Sequence, residues 1–281
     1  MARETKLVVV TGRKRIGKSN ETLRTLYNEY CRGQHGRKVL IFDPNNEYGA
    51  YELYDRGGIV IVNVPLLGHN DILSFNKQKV VEIRRIVPVN NFGQPLTPDE
   101  QDDLIVKMMS EFRGGCLFIE DLNTVFGDSL PKKVSAFFTN NAHRDCDIII
   151  QMQSIGRILP KMWQNTQMIR FHAQLDSVDQ SKEKLKEDYE IFKIAQLMVD
   201  FQYNAGNTRF FVWVDKEDKK IRGAYSRAMF DKAIMDYLEE NQNIVQKEIK
   251  RIDFLTNQRK YTPSQALQVV KNKLYKEYCT V

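Results

Sequence analysis

The sequence predicts an α/β protein: a mostly parallel sheet covered by helices on both faces, with a helical C-terminal appendage. Three observations carry that expectation. Short aliphatic runs, "LVVV", "KVLIF", "CLFI" and "DIII", alternate with segments of helical period. The runs lack the polar alternation of a half-exposed strand, as strands buried on both faces do. Polar residues with chemical capability follow several of the runs directly, where ligands bind in sheets of this class.

Length and composition bound the rest. A chain of 281 residues holds one large domain or a domain with an appendage. The chain reads as a domain over 1–226 with an insertion at 51–95, and, from Arg227 where it turns mostly helical, a basic helical extension over 227–281. No apolar run approaches the roughly 18 residues of a membrane span, and the N-terminus has no signal-peptide core. Four scattered cysteines with no C-x-x-C pair point to a reducing compartment and away from a zinc site. The net charge is +6; from Asn241 onward eight bases face three acids, a local +5. Such a tail suits a polyanionic partner or a solvated helical surface.

In chain order, Leu7–Val10 is the first buried strand. After Ser19, Leu23, Leu26, Tyr27 and Tyr30 recur at helical steps, and Gly33 ends that helix. "KVLIFD" is the second strand, closed by the turn "DPNNEYGAY". Residues 51–95, an insertion or an extension of the sheet, hold short strand-like runs, Ile59–Val64 and Val80–Val89, split by Pro65, Pro88 and Gly93. Thr97-Pro98 opens a helix with acids in its first turn. "CLFIED" is a strand, "PKKVSAFFTNNAHR" a helix, and "DIIIQMQ" a strand. A helical turn near Pro160–Asn165 precedes the strand "QMIRFHAQL", and a helix runs from Asp179 to Val199. "RFFVWVDKEDKKIRGAY" reads as a hairpin. From Arg227 the chain is mostly helical; its last helix opens at Thr262-Pro263 and sets Leu267, Val270, Leu274 and Tyr278 on one face.

The stretch "GRKRIGKS" fits G-x-x-x-x-G-K-S, a phosphate-binding loop. Gly12 and Gly17 permit a loop whose N–H groups turn inward. Lys18 reaches β- and γ-phosphates, and the Ser19 hydroxyl is a Mg²⁺ ligand. The cradle runs from Gly12 through Arg13, Lys14, Arg15, Ile16, Gly17, Lys18 and Ser19 to Asn20, between a buried strand and a helix N-terminus. The expected ligands are therefore ATP and Mg²⁺. Four further constellations fit that chemistry. Glu120 and Asp121 end a strand, Glu120 for the metal shell with Ser19 and Asp121 for the attacking water. Asp43 and Glu47 follow the second strand, where Glu47 is an alternative base. Gln151 and Gln153 place neutral amides beside the γ-phosphate, with Gln153 the preferred sensor. Arg144, then Arg157, with Arg170 as a third, are candidates for a cation donated to a neighbour's site.

Taken in order, "GRKRIGKS", "VLIFDPNNEYG", "LFIED" and "HRDCDIIIQMQSIGRILP" resemble the successive motifs of the HerA–FtsK superfamily of ring-forming DNA-pumping ATPases, over residues 5–175. The order of Glu120 and Asp121 is the reverse of that family's usual pair, which leaves the base assignment open. Several branches carry transmembrane segments or an N-terminal barrel, for which this chain shows no counterpart. What remains resembles the compact genome-packaging ATPases of tailless viruses. The resemblance implies a RecA-like/ASCE P-loop NTPase fold and ATP hydrolysis coupled to translocation of double-stranded DNA. It also implies a homo-oligomeric ring, hexameric by expectation, capsid vertex proteins as partners, and a location in the host cytoplasm or virion. Lys77, Lys79, Arg84 and Arg85 are candidates for a channel wall. A phage-assembly or conjugation-type ATPase, a small-molecule kinase with 51–95 as its lid, and a non-catalytic DNA-binding nucleotide switch are the competing readings. "NKQK" at 76–79 lacks the Asp of a guanine-reading motif.

Overall fold

The computed structural model describes residues 5–55, 58–122, 134, 137–138, 145–255 and 257–280. The chain divides into two compact units, Met1–Met168 and Ile169–Val281. That division lies well before the expected 226/227.

The first unit is built on β1 (Leu7–Thr11), β2 (Lys38–Phe42), β5 (Ile83–Ile86), β6 (Gly115–Glu120) and β7 (Asp147–Met152). They lie in the order β1-β7-β6-β2-β5, and every pairing is parallel. β1, β2, β6 and β7 are buried along their whole length, as their unbroken aliphatic runs require. The strand carrying the glutamines therefore lies between the P-loop strand and the strand carrying the acid pair, the expected RecA-like/ASCE arrangement. Register aligns the ends: Thr11 faces Met152, and Glu120 faces Gln151.

Helix α1 (Lys18–Thr25) leaves β1 and passes into a π-helical stretch, Leu26–Cys31, where the sequence predicts an uninterrupted α-helix. Gly33 does end it: a Cβ there would lie 2.1 Å from the Glu29 carbonyl oxygen. Helix α3 (Pro98–Glu111) starts as expected, with a complete capping box between Thr97 and Glu100. The chain from β1 through α1 to β2 crosses the sheet in one direction, and that from β5 through α3 to β6 crosses it in the other. Right-handed crossovers then place α1 and α3 on opposite faces.

Residues 51–95 do both: part forms a separate hairpin and part extends the main sheet. β3 (Ala50–Asp55) and β4 (Gly58–Asn63) form a separate antiparallel hairpin, whereas β5 joins the main sheet beside β2. Between them lies α2 (Ile72–Lys77), which the sequence reading leaves unassigned. Lys38, at the start of β2, explains its position. The Lys38 ammonium donates to the carbonyls of Phe75 and Asn76 at 2.6 and 2.8 Å, and to that of Gln78. A cation there satisfies the open carbonyls of the helix C-terminus. The predicted helix at 131–144 lies outside the described residues, except for Val134, Phe137 and Phe138, which are helical.

In the second unit β8 (Met168–His172) neighbours β9 (Phe211–Asp215), which pairs antiparallel with β10 (Lys220–Arg222). The short helices α4 (Pro160–Asn165) and α5 (Lys182–Leu185) flank β8 in sequence. The main helices are α6 (Tyr189–Asn204), α7 (Arg227–Glu240), α8 (Gln242–Ile249) and α9 (Pro263–Tyr278). Ile191, Phe192 and Ala195 of α6, Phe230, Ile234 and Tyr237 of α7, and Val270, Leu274 and Tyr278 of α9 are all buried. Tyr237 and Tyr278 both donate to the Glu190 carboxylate, at 3.0 and 2.7 Å. Residues 227–281 thus share a core with residues of α6 that precede them. On α9 the fully buried stripe is Ala266–Val270–Leu274–Tyr278; Leu267 sits at its margin.

Candidate nucleotide-binding site

The site is assembled at the C-terminal ends of β1, β6 and β7. Where β1 ends, the chain enters conformations that glycine tolerates: Gly12 has φ 149° and Gly17, the residue before α1, has φ 83° and ψ 13°. Arg15 holds φ 63°, a left-handed conformation that disfavours a side chain with Cβ. Lys14, Arg15 and Asn20 are exposed, and Ile16 is buried beneath the loop. Lys18 is buried, with its ammonium donating to the carbonyl oxygens of Gly12 and Arg13 at 2.6 and 2.7 Å. These bonds tie the loop into a closed turn at the start of α1.

Three residues from three elements converge next to it. The Ser19 hydroxyl donates to Glu120 Oε1 at 3.3 Å. Gln151 Nε2 donates both to Ser19 Oγ at 3.0 Å and to Glu120 Oε1 at 2.8 Å. Glu120 Oε2 is buried and makes no hydrogen bond of good geometry among the described residues, though the Tyr48 hydroxyl lies close enough to lower the carboxyl's pKa against the rise from burial. Burial is the main reason the Glu120 carboxyl titrates above its ordinary range, and the nearby Glu47 and Asp121 charges push it the same way. A buried carboxylate oxygen without a well-placed donor, beside a serine hydroxyl, is an oxygen donor set that suits Mg²⁺.

Asp121 turns away from that cluster. It has φ 51°, its N–H donates to the Gln151 carbonyl at 3.1 Å, and its carboxylate accepts from Gln153 Nε2 at 3.0 Å. The reversed acid order therefore divides the pair between two glutamines: Glu120 with Gln151 and Ser19, Asp121 with Gln153. Sequence reasoning names both glutamines but favours Gln153; the amide that touches the P-loop serine is that of Gln151.

The turn after β2 divides in another way. Asp43 is fully buried and accepts from the backbone N–H of Glu47 and Tyr48, at 2.9 and 3.0 Å, and from Arg85 Nη1 at 2.9 Å. Those three bonds make it the pin of the "DPNNEYG" turn. Glu47 is exposed, within electrostatic reach of Glu120. Tyr48, to which the sequence reading assigns no role, is buried, lies tilted against Phe118 with ring centroids 6.1 Å apart, and is raised in pKa by burial and by the Glu120 charge beside it.

The basic candidates separate similarly. Arg85 is not a channel residue: it ion-pairs with Asp43 and donates through Nε to the Val64 carbonyl at 3.0 Å. Arg84 pairs with Glu82 at 2.8 Å, while Lys77 and Lys79 are exposed. Arg157 is exposed on the turn after β7. Arg170 is buried in β8, with its guanidinium 5.5 and 5.6 Å from the Phe211 and Trp213 ring centroids, so packing rather than donation to a neighbour accounts for it. Arg144 lies outside the described residues.

No protein-family model and no curated protein matches the chain. Solved structures do. The genome packaging NTPase B204 from Sulfolobus turreted icosahedral virus 2, in complex with AMP, superposes with a TM-score of 0.50 at 16% identity, covering 79% of this chain and 98% of that one. The same protein in complex with sulfate gives 0.50 at 17% identity, over 78% and 96%. At such identities the likeness is one of fold. The motif resemblance to compact viral genome-packaging ATPases and the likeness in three dimensions thus converge on one architecture, that of the packaging NTPase B204.

Proposed function

We propose that this protein is a Mg²⁺-dependent ATPase that drives double-stranded DNA, a genome-packaging motor acting as a homo-oligomeric ring, hexameric in our reading. The observation that carries the proposal is the Ser19–Glu120–Gln151 contact beside the P-loop, in a chain folded like a packaging NTPase.

In this reading the loop from Gly12 to Asn20 wraps the ATP phosphates, with Lys18 exchanging its two loop carbonyls for β- and γ-phosphate oxygens. Ser19 and Glu120 would hold Mg²⁺, which would supply positive charge to offset that of the phosphates. Asp121 takes the proton of the attacking water, with Glu47 as the alternative base. Gln153 orients that water through Asp121, and Gln151 registers whether the Ser19–Glu120 pair is engaged. Arg144, or failing it Arg157, completes a neighbouring subunit's site. Lys77 and Lys79 remain our candidates for DNA contact, together with the basic C-terminal region, which contacts DNA or a capsid vertex protein. Phosphate contacts of this kind give steep salt dependence and little sequence preference.

The test is ATP turnover with and without double-stranded DNA. We expect stimulation by DNA and loss of turnover in Lys18→Ala; unchanged turnover in that variant, with folding intact, removes the reading. Mixing separates the arginines: Lys18→Ala subunits should restore turnover to Arg144→Ala subunits in mixed rings. Mixed rings without restored activity transfer the role to Arg157.

A further inference from the structure

Between α8 and α9 the chain reads "KRIDFLTNQRKY". Ile252 and Arg259 form an antiparallel bridge. Around it the Asp253 N–H donates to the Gln258 carbonyl at 2.8 Å and the Lys260 N–H to the Arg251 carbonyl at 2.9 Å. The result is a tight hairpin. At its end Phe254 and Leu255 are 99% and 92% exposed, and Ile252 beside them is 59% exposed. Lys250, Arg251, Arg259 and Lys260, all exposed, form a cationic collar at its base. Arg251 shares its charge with Glu248 at 2.9 Å, which leaves Lys250, Arg259 and Lys260 as the collar's main charges.

Two backbone N–H groups near the tip are satisfied by Asp253. The Asp253 carboxylate accepts the Leu255 N–H at 3.0 Å, and the Asp253 carbonyl accepts the Asn257 N–H at 2.9 Å. Satisfying the Leu255 and Asn257 N–H groups within the turn makes entry into a medium without water less costly.

We infer that this hairpin docks on an anionic phospholipid surface, with Phe254 and Leu255 at the acyl boundary and the collar at the phosphates. The order along the hairpin, apolar tip and then cations, is the order of a bilayer interface from inside to outside. Duplex DNA satisfies the cations, but it takes an apolar tip only by unstacking a base step in the minor groove, a cost that a bilayer interface does not impose. A two-stranded ribbon fits the major groove, whose base edges are hydrogen-bond donors and acceptors with the thymine methyl as the apolar exception. Two large apolar side chains there would leave polar edges unpaired. Among the described residues no helix is long and apolar enough to cross a membrane, so the contact is peripheral. The inference does not depend on the ATPase reading, and its test does not use turnover.

The experiment is co-sedimentation of the full chain with vesicles of phosphatidylcholine, with and without phosphatidylglycerol, alongside a duplex-DNA binding titration. Binding to the phosphatidylglycerol vesicles, weakened by salt, is expected. Phe254→Ser with Leu255→Ser should lower that affinity about tenfold or more and change duplex affinity by less than about twofold. Arg259→Gln with Lys260→Gln should cost about tenfold or more on the vesicles that contain phosphatidylglycerol and nothing on those of phosphatidylcholine. In Phe254→Trp, the added emission should shift to the blue with anionic vesicles and not with DNA. Because these side chains are exposed, the variants should keep the wild-type melting temperature, which checks that they fold. Absence of vesicle binding, or equal binding by the Phe254/Leu255 variant, overturns the inference. So does a variant that instead loses duplex affinity, or that loses self-association by light scattering; the occupant is then DNA or a second copy of the chain.

Discussion

Two buried carboxylates stand at the C-terminal ends of neighbouring parallel strands, Asp43 after β2 and Glu120 at the end of β6. Asp43 is saturated: two backbone N–H groups and Arg85 meet its oxygens. Glu120 has one oxygen held by Ser19 and Gln151 and the other with no hydrogen bond of good geometry among the described residues. A buried acid whose lone pairs are all met is a structural fastener. A buried acid left short of a donor is costly to keep and fits a cation. The strand-end position is the same, so position alone does not separate the two roles; the donor count does.

The sharpest break of that comparison is Asp43→Ala. It strands Arg85 and frees two backbone donors, so unfolding in urea should show a loss of about 3 kcal/mol. A loss below about 1 kcal/mol would mean the turn stands without its pin. Next in size is Glu120→Gln, for which we expect a fall in Mg²⁺-dependent turnover of roughly a hundredfold with no loss of folding stability. Equal destabilisation by the two variants would erase the distinction.

Smaller effects sharpen the neighbourhood. Asp121→Asn should lower turnover about tenfold or more while ATP affinity is kept. If Glu47→Gln does this and Asp121→Asn does not, Glu47 is the base. The smallest effect is a pH dependence without metal or nucleotide. The raised Glu120 carboxyl keeps its proton in the folded chain to a higher pH than its ordinary 4.5. The folded state therefore binds more protons in that window, and stability falls as pH rises through it. Glu120→Gln lacks this loss. Its melting temperature should exceed wild type at neutral pH, with the excess vanishing below the ordinary carboxyl range. A constant difference across pH would assign the effect to packing.

The parts legible in sequence were those that local chemistry dictates. The aliphatic runs gave β1, β2, β6 and β7, and the glycines and Lys18 gave the loop. The Thr97-Pro98 and Thr262-Pro263 pairs gave two helix starts. Register and long-range pairing were not legible. Asp43 meets a partner 42 residues away on a strand that reads as part of an insertion, so Arg85 looks like a free cation. Gln151 lies opposite Glu120 only because β6 and β7 align in that register. Nothing in "LYNEYC" announces a π-helix, and the face of α9 depends on which neighbours cover it.

The place of β7 in the sheet also sets a timetable for biosynthesis. β1 leaves the ribosome early, but its partner in the first unit begins 141 positions later, Leu7 opposite Ile148, and Gln151 reaches Ser19 across 132 positions. At ordinary elongation rates that interval is on the order of ten seconds. Throughout it the nascent chain carries a fully apolar strand with that edge unpaired. A fully buried strand is thus an exposed one while it is being made, and the yield of the protein in a cell should depend on chaperones that shield "LVVV" until "DIII" arrives.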